Sequence, residues 1–230
     1  MDTKKFQILD ENLEETDLNS LVNKILMLYV LKKANEISPL LRGKIKFQKI
    51  FFLSEYMLEL ERMHALTFEY FRYDLGPFSK DLLNTFEDME SQGFTKGSSS
   101  GNYELTEEGK YLFEIIESSG LYKMNLDITK IIDKSINEYG IRDGIYLKNM
   151  AYKLEIPLLD KNTRSVICKE IRNIDKCTDL LPFNFLKYEK IFSVPEDLVE
   201  DLLYEFSLTQ KDRDSLRRKS SKTLEELFAL

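Results

Sequence analysis

Catalysis by side chains needs a nucleophile, a base or a set of metal ligands drawn close together. The sequence offers few residues of those kinds in useful spacing. Its one histidine, His64, follows a long apolar run and reads as a structural or solvent-facing ring. Cys168 and Cys177 stand nine residues apart, with no CxxC and no histidine beside them. They read as reduced, incidental thiols. No Walker loop, HExxH or GxSxG occurs. The acidic pairs Glu87/Asp88 and Glu107/Glu108 fall where a solvated helix face or a first helical turn would put them. Read this way, the chain has no catalytic residue, no metal site and no cofactor, and the expectation is that it is not an enzyme.

Recognition is the remaining chemistry, and charge constrains it. The net charge is −7. It lies entirely in residues 1–120, which carry 14 Lys/Arg against 21 Asp/Glu, while residues 121–230 carry 19 of each. A DNA-binding half usually shows the reverse balance. Within it, the outward positions of a helix over 80–92 are Lys80, Asp81, Asn84, Glu87, Asp88 and Ser91, one cation against three anions. A helix in the major groove faces phosphates on both sides, so this surface should be repelled by DNA. Candidate contacts to a protein partner are therefore Tyr70, Tyr73, Lys80, Asn84, Glu87 and Asp88. Tyr70, Phe71, Tyr73, Phe183 and Phe185 are more rings than one small core obviously needs, and such rings suit interface anchors or core filling. If DNA is bound instead, phosphate contacts fall to Arg42, Lys44, Lys46, Lys49, Arg72 and Lys96.

These residues need a scaffold, and periodicity supplies one. Leu21, Ile25, Leu28 and Leu31 repeat at helical spacing to about Asn35, and Ser38-Pro39 is a good next helix start. Leu41 to His64 is dense in apolar residues and reads as the central core helix, with Gly43 as a kink or restart. Thr67 to Tyr73 alternates as a strand, Gly76-Pro77 breaks it, and Ser79 caps the 80–92 helix. Phe94 to Lys96 and Tyr103 to Leu105 form a two-stranded wing around a GSSSGN tip, followed by a helix capped by Thr106. Further helices are expected over 125–140, from Gly144 to before Pro157, over 162–176 and from Ser193. The last residues, from Lys211, alternate charges and end in Leu224, Leu227, Phe228 and Leu230. Neither a bilayer-spanning run nor a signal peptide is visible.

GKIKFQKIFFL (Gly43 to Leu53) resembles the "GRxKLQKLxYL" helix of Panacea or SocA-like antitoxin domains. FEYFRYDLGPFSKDLLNTFEDMESQGF (Phe68 to Phe94) is similar to their aromatic-rich segment, and INEYGIRDGIYLKNMAYKLEIP (Ile136 to Pro157) to their closing helix pair. The resemblance covers roughly residues 20–160. It implies a winged-helix-related fold linked to toxin neutralisation, adaptor roles or transcriptional control. The chain departs from the pattern at Asp74-Leu75, where one residue usually precedes Gly-Pro, and in residues 161–230.

The expected fold class is α+β, mainly α with a small β-hairpin wing. It comprises a flexible arm over 1–16, a winged helix-turn-helix domain over 17–160 and a helical C-terminal extension over 161–230. The expected function is that of a cytoplasmic, non-enzymatic regulatory binding protein, antitoxin-like or adaptor. Its favoured partner is a protein such as a toxin, covered by the aromatic strand and the acidic helix. A DNA-binding winged-helix transcriptional regulator and a homodimer stay open as alternatives.

Overall fold

Between Leu18 and Ala34 apolar side chains fall on every face of a helix, so the segment has to be enclosed rather than half-solvated. It forms α1 (Glu15–Ile37), with Leu21, Val22, Ile25, Leu26, Leu28 and Leu31 buried. The structure, a computed structural model, describes residues 15–37, 41–159, 165–183 and 187–215. After the short strand β1 (Leu41–Arg42), Gly43 at φ +87° turns the chain into α2 (Lys44–Leu60). That backbone conformation favours glycine. α2 is enclosed like α1, burying Phe47, Ile50, Phe51, Phe52 and Leu53.

β2 (Met63–His64), β3 (Tyr70–Tyr73) and β4 (Gly76–Phe78) follow. The Ser79 hydroxyl then accepts the Leu82 amide at 3.1 Å and caps α3 (Lys80–Ser91). α3 turns Leu82, Phe86 and Met89 inward. β5 (Thr95–Lys96) and β6 (Asn102–Leu105) make a hairpin that β1 extends, in the order β1-β6-β5, all antiparallel. Thr106 caps α4 (Glu107–Ser118) by accepting the Gly109 amide at 3.0 Å. The short α5 (Leu121–Met124), then α6 (Leu126–Tyr139) and α7 (Gly144–Ala151), complete the helical layer. α6 packs on α1 and α2, and α7 packs on α2. The architecture is α+β, mainly helical with small sheets.

The C-terminal third departs from expectation. β7 (Glu155–Leu159) pairs antiparallel with β8 (Val166–Glu170), where a helix over 162–176 was expected; residues 162–164 lie outside the described set. Ile167, Ile171 and Ile174 do recur at helical spacing, but the β-branched Val166-Ile167 pair falls opposite Leu159 and Leu158 across the β7–β8 hairpin, and the strand forms instead. β9 (Asp179–Leu181) adds to β3 to give the order β4-β3-β9, and β10 (Lys190–Ile191) runs parallel to β2. Among the described residues, the segment after 160 therefore mixes strands with helix. β9 and β10 join strands that lie before residue 80, whereas β8 pairs with the neighbouring β7. α8 (Glu196–Ser207) closes against α1. Of the expected arm, Glu15 and Thr16 belong to α1. Residues 1–14, Ser38-Pro39, Phe185 and the segment 216–230 lie outside the described residues. Among the described residues no helix is long and apolar enough to cross a membrane.

Candidate functional site

Polar side chains on a fully enclosed helix are costly unless something uses them, and α2 carries several. Lys49 is 2% exposed. Its Nζ donates to the Pro77 carbonyl at 2.5 Å. Burial of the ammonium lowers its pKa from the ordinary 10.5 to about 7. Gln48, one residue earlier, grips the backbone above: its Nε2 donates to the Ser79 carbonyl and its Oε1 accepts the Ser79 amide, both at 2.8 Å. Strand β4 and Ser79, which lead from the Asp74-Leu75 turn into α3, are thereby pinned over Lys49. Gly76 sits at φ +87°, and a Cβ there would meet the Lys49 Cε at 3.4 Å. The glycine therefore answers both the backbone conformation and the close approach of the lysine.

Beside this turn lies a cavity of about 400 Å³, walled by Lys44, Gln48 and Lys49 from α2 and by Tyr73, Asp74 and Leu75 from the β3–β4 hairpin. Tyr73 is 52% exposed at its mouth. The Lys44 ammonium stands 5.7 Å from the centre of the Phe78 ring. Asp74 is ion-paired with Lys176, and that hydrogen bond lowers the Asp74 pKa. The Tyr152 hydroxyl donates to the Asp74 carbonyl at 2.5 Å, tying the hairpin to the end of α7. The cavity thus combines an amine that is half neutral near pH 7, a solvated cation and an exposed ring. Such an amine can take or give a proton at working pH, and such a ring can stack on a base.

A second polar group lies nearly two turns further along α2. Glu55 is 1% exposed, and neither of its carboxylate oxygens makes a hydrogen bond of good geometry. Burial, then the neighbouring Glu59, raises its pKa well above the carboxylate range, against a weaker pull from the Phe68 amide. Glu59 is used: it accepts the Phe183 amide at 3.0 Å and the Tyr188 hydroxyl at 2.6 Å. Both glutamates, and the value of Lys49, went unnoticed in the sequence. The available signal was the set of ionisable residues, Lys49, Glu55 and Glu59, inside a helix whose other residues are mostly apolar.

The residues expected to bind a partner are scattered. Tyr70 is fully buried, its ring 5.2 Å from that of Phe52, so it fills the core and cannot meet a partner. Lys80, Asn84 and Glu87 are exposed on α3, away from the Lys49 cavity, whereas Tyr73 stands at its mouth. Asp88 is ion-paired with Lys24 at 2.5 Å and accepts from Gln92 at 3.0 Å, which neutralises part of the expected acidic face. Glu90 is spent on the β5–β6 hairpin, accepting the Gly97 amide at 2.7 Å.

The expected cationic strip does not form either. Arg42 and Lys44 are exposed, but Lys46 and Lys49 are buried. Arg72 lies over the Tyr152 ring at 5.0 Å and donates to the Ile171 carbonyl at 3.3 Å. Lys96 pairs with Glu104 at 3.3 Å. Helix α2 passes from the surface into the core after Lys44, so cations two and five residues on point inward. Among the described residues, no group of three or more His, Cys, Asp or Glu side chains could hold a metal ion.

No family model matches the chain, and no solved structure is significantly similar to it. Curated relatives do match over part of their length. The chain is 35% identical over 91 residues to a protein named endoribonuclease YbeY from Clostridium botulinum strain Langeland, covering 39% of this chain and 48% of that one. It is 30% identical over 87 residues to the protein of the same name from strain Kyoto, covering 38% and 45%. The chain thus spans about half the length of the curated relatives it matches. Their name is that of an enzyme. It overturns the expectation of a non-enzymatic regulatory binding protein, and with it the antitoxin-like and transcription-regulator readings.

Proposed function

We propose that this chain is an RNA-acting enzyme that breaks phosphodiester bonds by acid–base chemistry, with the cavity beside the β3–β4 hairpin as its reaction centre. The observation that carries the reading is Lys49, an amine with a pKa of about 7 on the wall of that cavity. A general base works best when its pKa lies near the operating pH. The name of the partial relatives supports RNA as the substrate class.

In this reading neutral Lys49 Nζ takes the proton of a ribose 2′-hydroxyl. The 2′-oxygen attacks phosphorus, the bond from phosphorus to the 5′-oxygen breaks, and that oxygen takes a proton from water at the open mouth. The products are a 2′,3′-cyclic phosphate and a 5′-hydroxyl end. Lys44 offsets the charge that builds on the phosphoryl oxygens, as a fixed cation does best in a partly dry site. The Tyr73 ring stacks on a neighbouring base. The Pro77 carbonyl holds the Lys49 amine in place between turnovers.

The scaffold in this proposal is a winged-helix relative, as the Panacea or SocA-like resemblance implies. The sheet order β1-β6-β5 and the Ser79-capped α3 support it. α3 is not the reading element, because its outward face is acidic and tied to Lys24.

The test is a single-stranded RNA oligonucleotide with a fluorescent label at its 5′ end, incubated with the purified chain. Cleavage leaving cyclic phosphate is expected. It should vanish at any linkage whose 2′-hydroxyl is replaced by hydrogen. Cleavage that persists at the 2′-deoxy linkage, or none between pH 6 and 9, would overturn the proposal.

A further inference from the structure

A buried amine can do more than move protons. The Lys49 ammonium has lost its water shell, and burial is the one cause of its lowered pKa, with no contribution from a neighbouring charge. Desolvation without a carboxylate to offset it favours the neutral amine. The Pro77 carbonyl can only accept, so it occupies one N–H and leaves the lone pair of the neutral nitrogen unused. An exposed lysine near pH 7 is neutral in fewer than about one molecule in a thousand. Lys49 is therefore set apart from the other amines of the chain as a nucleophile.

The cavity decides what that lone pair can attack. Ile45, Leu75 and Phe78 give it apolar walls, and such walls slow the hydrolysis of a condensed product by keeping water back. Lys44 stands 5.7 Å from the centre of the Phe78 ring, and Lys49 donates to the carbonyl of the preceding residue. The two amines thus flank the Pro77–Phe78 step, one suited to bond formation and one to an anion. A volume of about 400 Å³ suits a small molecule.

We infer that Lys49 is also a covalent capture site for small 2-oxo acids. The Nζ lone pair attacks the carbonyl carbon. The carbonyl oxygen takes up the two amine protons, by way of water at the mouth, and leaves as water as the C=N bond forms. Lys44 holds the carboxylate. The adduct occupies the nitrogen that cleavage would use, so it blocks cleavage, but capture needs no RNA and does not rest on that reading.

The experiment incubates the full chain near pH 7 with glyoxylate and sodium cyanoborohydride, which reduces an imine to a stable amine, and locates the added mass by peptide mapping. A parallel reaction uses acetaldehyde, which has no carboxylate. Lys80 and Lys130, both exposed, serve as reference amines. Lys49 should carry at least about tenfold more glyoxylate adduct than either. The ratio of glyoxylate to acetaldehyde adduct at Lys49 should fall about tenfold in Lys44→Ala, a change at an exposed position. Lys49 labelled no more than Lys80 and Lys130, or a ratio unchanged in Lys44→Ala, overturns the inference. Selective capture by a chain that leaves RNA intact removes only the RNA reading. Cleavage that bends near pH 7 in a chain whose Lys49 resists glyoxylate removes only the capture site.

Discussion

At the scale of single residues, Lys49 and Glu55, two of the buried ionisable groups of α2, pull stability in opposite directions with pH. Lys49 has a folded pKa of about 7, below its ordinary 10.5. The unfolded chain therefore holds more protons than the folded one across that window, and the lysine's contribution to stability rises as pH climbs from about 7 to 10.5. Glu55 is the reverse. Its folded pKa is raised above the ordinary 4.5, so its contribution is whole below 4.5 and is lost as pH rises through the folded value. Glu55→Leu removes a buried carboxyl that no hydrogen bond of good geometry satisfies, and should stabilise the fold by about 1–3 kcal/mol. The gain in melting temperature over the parent should be larger at pH 8 than at pH 5. A gain of equal size at both pH values would show that Glu55 does not titrate with folding. Lys49→Met, similar in length and apolar, should melt higher than the parent near pH 7 while losing about 10²–10⁴-fold in RNA cleavage, the usual worth of a general base. Stability gained as activity is lost would mark the lysine as functional rather than structural.

At the scale of elements, the site depends on a strand held by one side chain. Gln48→Ala deletes two buried hydrogen bonds to Ser79, each worth about 1 kcal/mol net, and frees the Gly76–Ser79 segment from α2. Cleavage should fall through kcat more than through KM, because that segment positions Lys49 rather than holding substrate. An unchanged kcat with a raised KM would show the segment to bind substrate instead. Much of this element was legible beforehand. The Ser79 cap, the apolar stripe of α3 and the β5–β6 hairpin follow from local rules that single residues announce, whereas Gly76-Pro77, expected to break the strand, lies in β4 and pairs with β3. The strands β9 and β10 did not, because pairing partners as far apart as Tyr70 and Leu181 leave no local mark, and β8 was hidden by the helical spacing of Ile167, Ile171 and Ile174. The site was hidden for a related reason. Lys44, Lys46 and Lys49 look alike in sequence, yet only the dive of α2 into the core separates the solvated Lys44 from the buried Lys49. That dive is set by tertiary packing against α6 and α7. Tyr70 misled in the same way, since its alternation in a strand is the same whether its face meets solvent or Phe52.

At the scale of the whole molecule, an acidic chain has to hold a polyanion. Net charge of −7 disfavours long-range attraction, so few phosphates should be engaged. With Lys44 and a partly charged Lys49 as the cations at the cavity, the dependence of log KM on log salt should have a slope of about 1 to 2. A much steeper slope would place RNA on a cationic surface elsewhere. The measurement closest to the central claim is the pH dependence of kcat/KM for cleavage of single-stranded RNA by the parent and by Lys49→Met. The account predicts that the parent's rate rises about tenfold per pH unit below 7 and levels off above it, while Lys49→Met shows no such rise and little rate at any pH. A parent profile without a bend near 7, or a methionine variant that cleaves as fast as the parent, would contradict it.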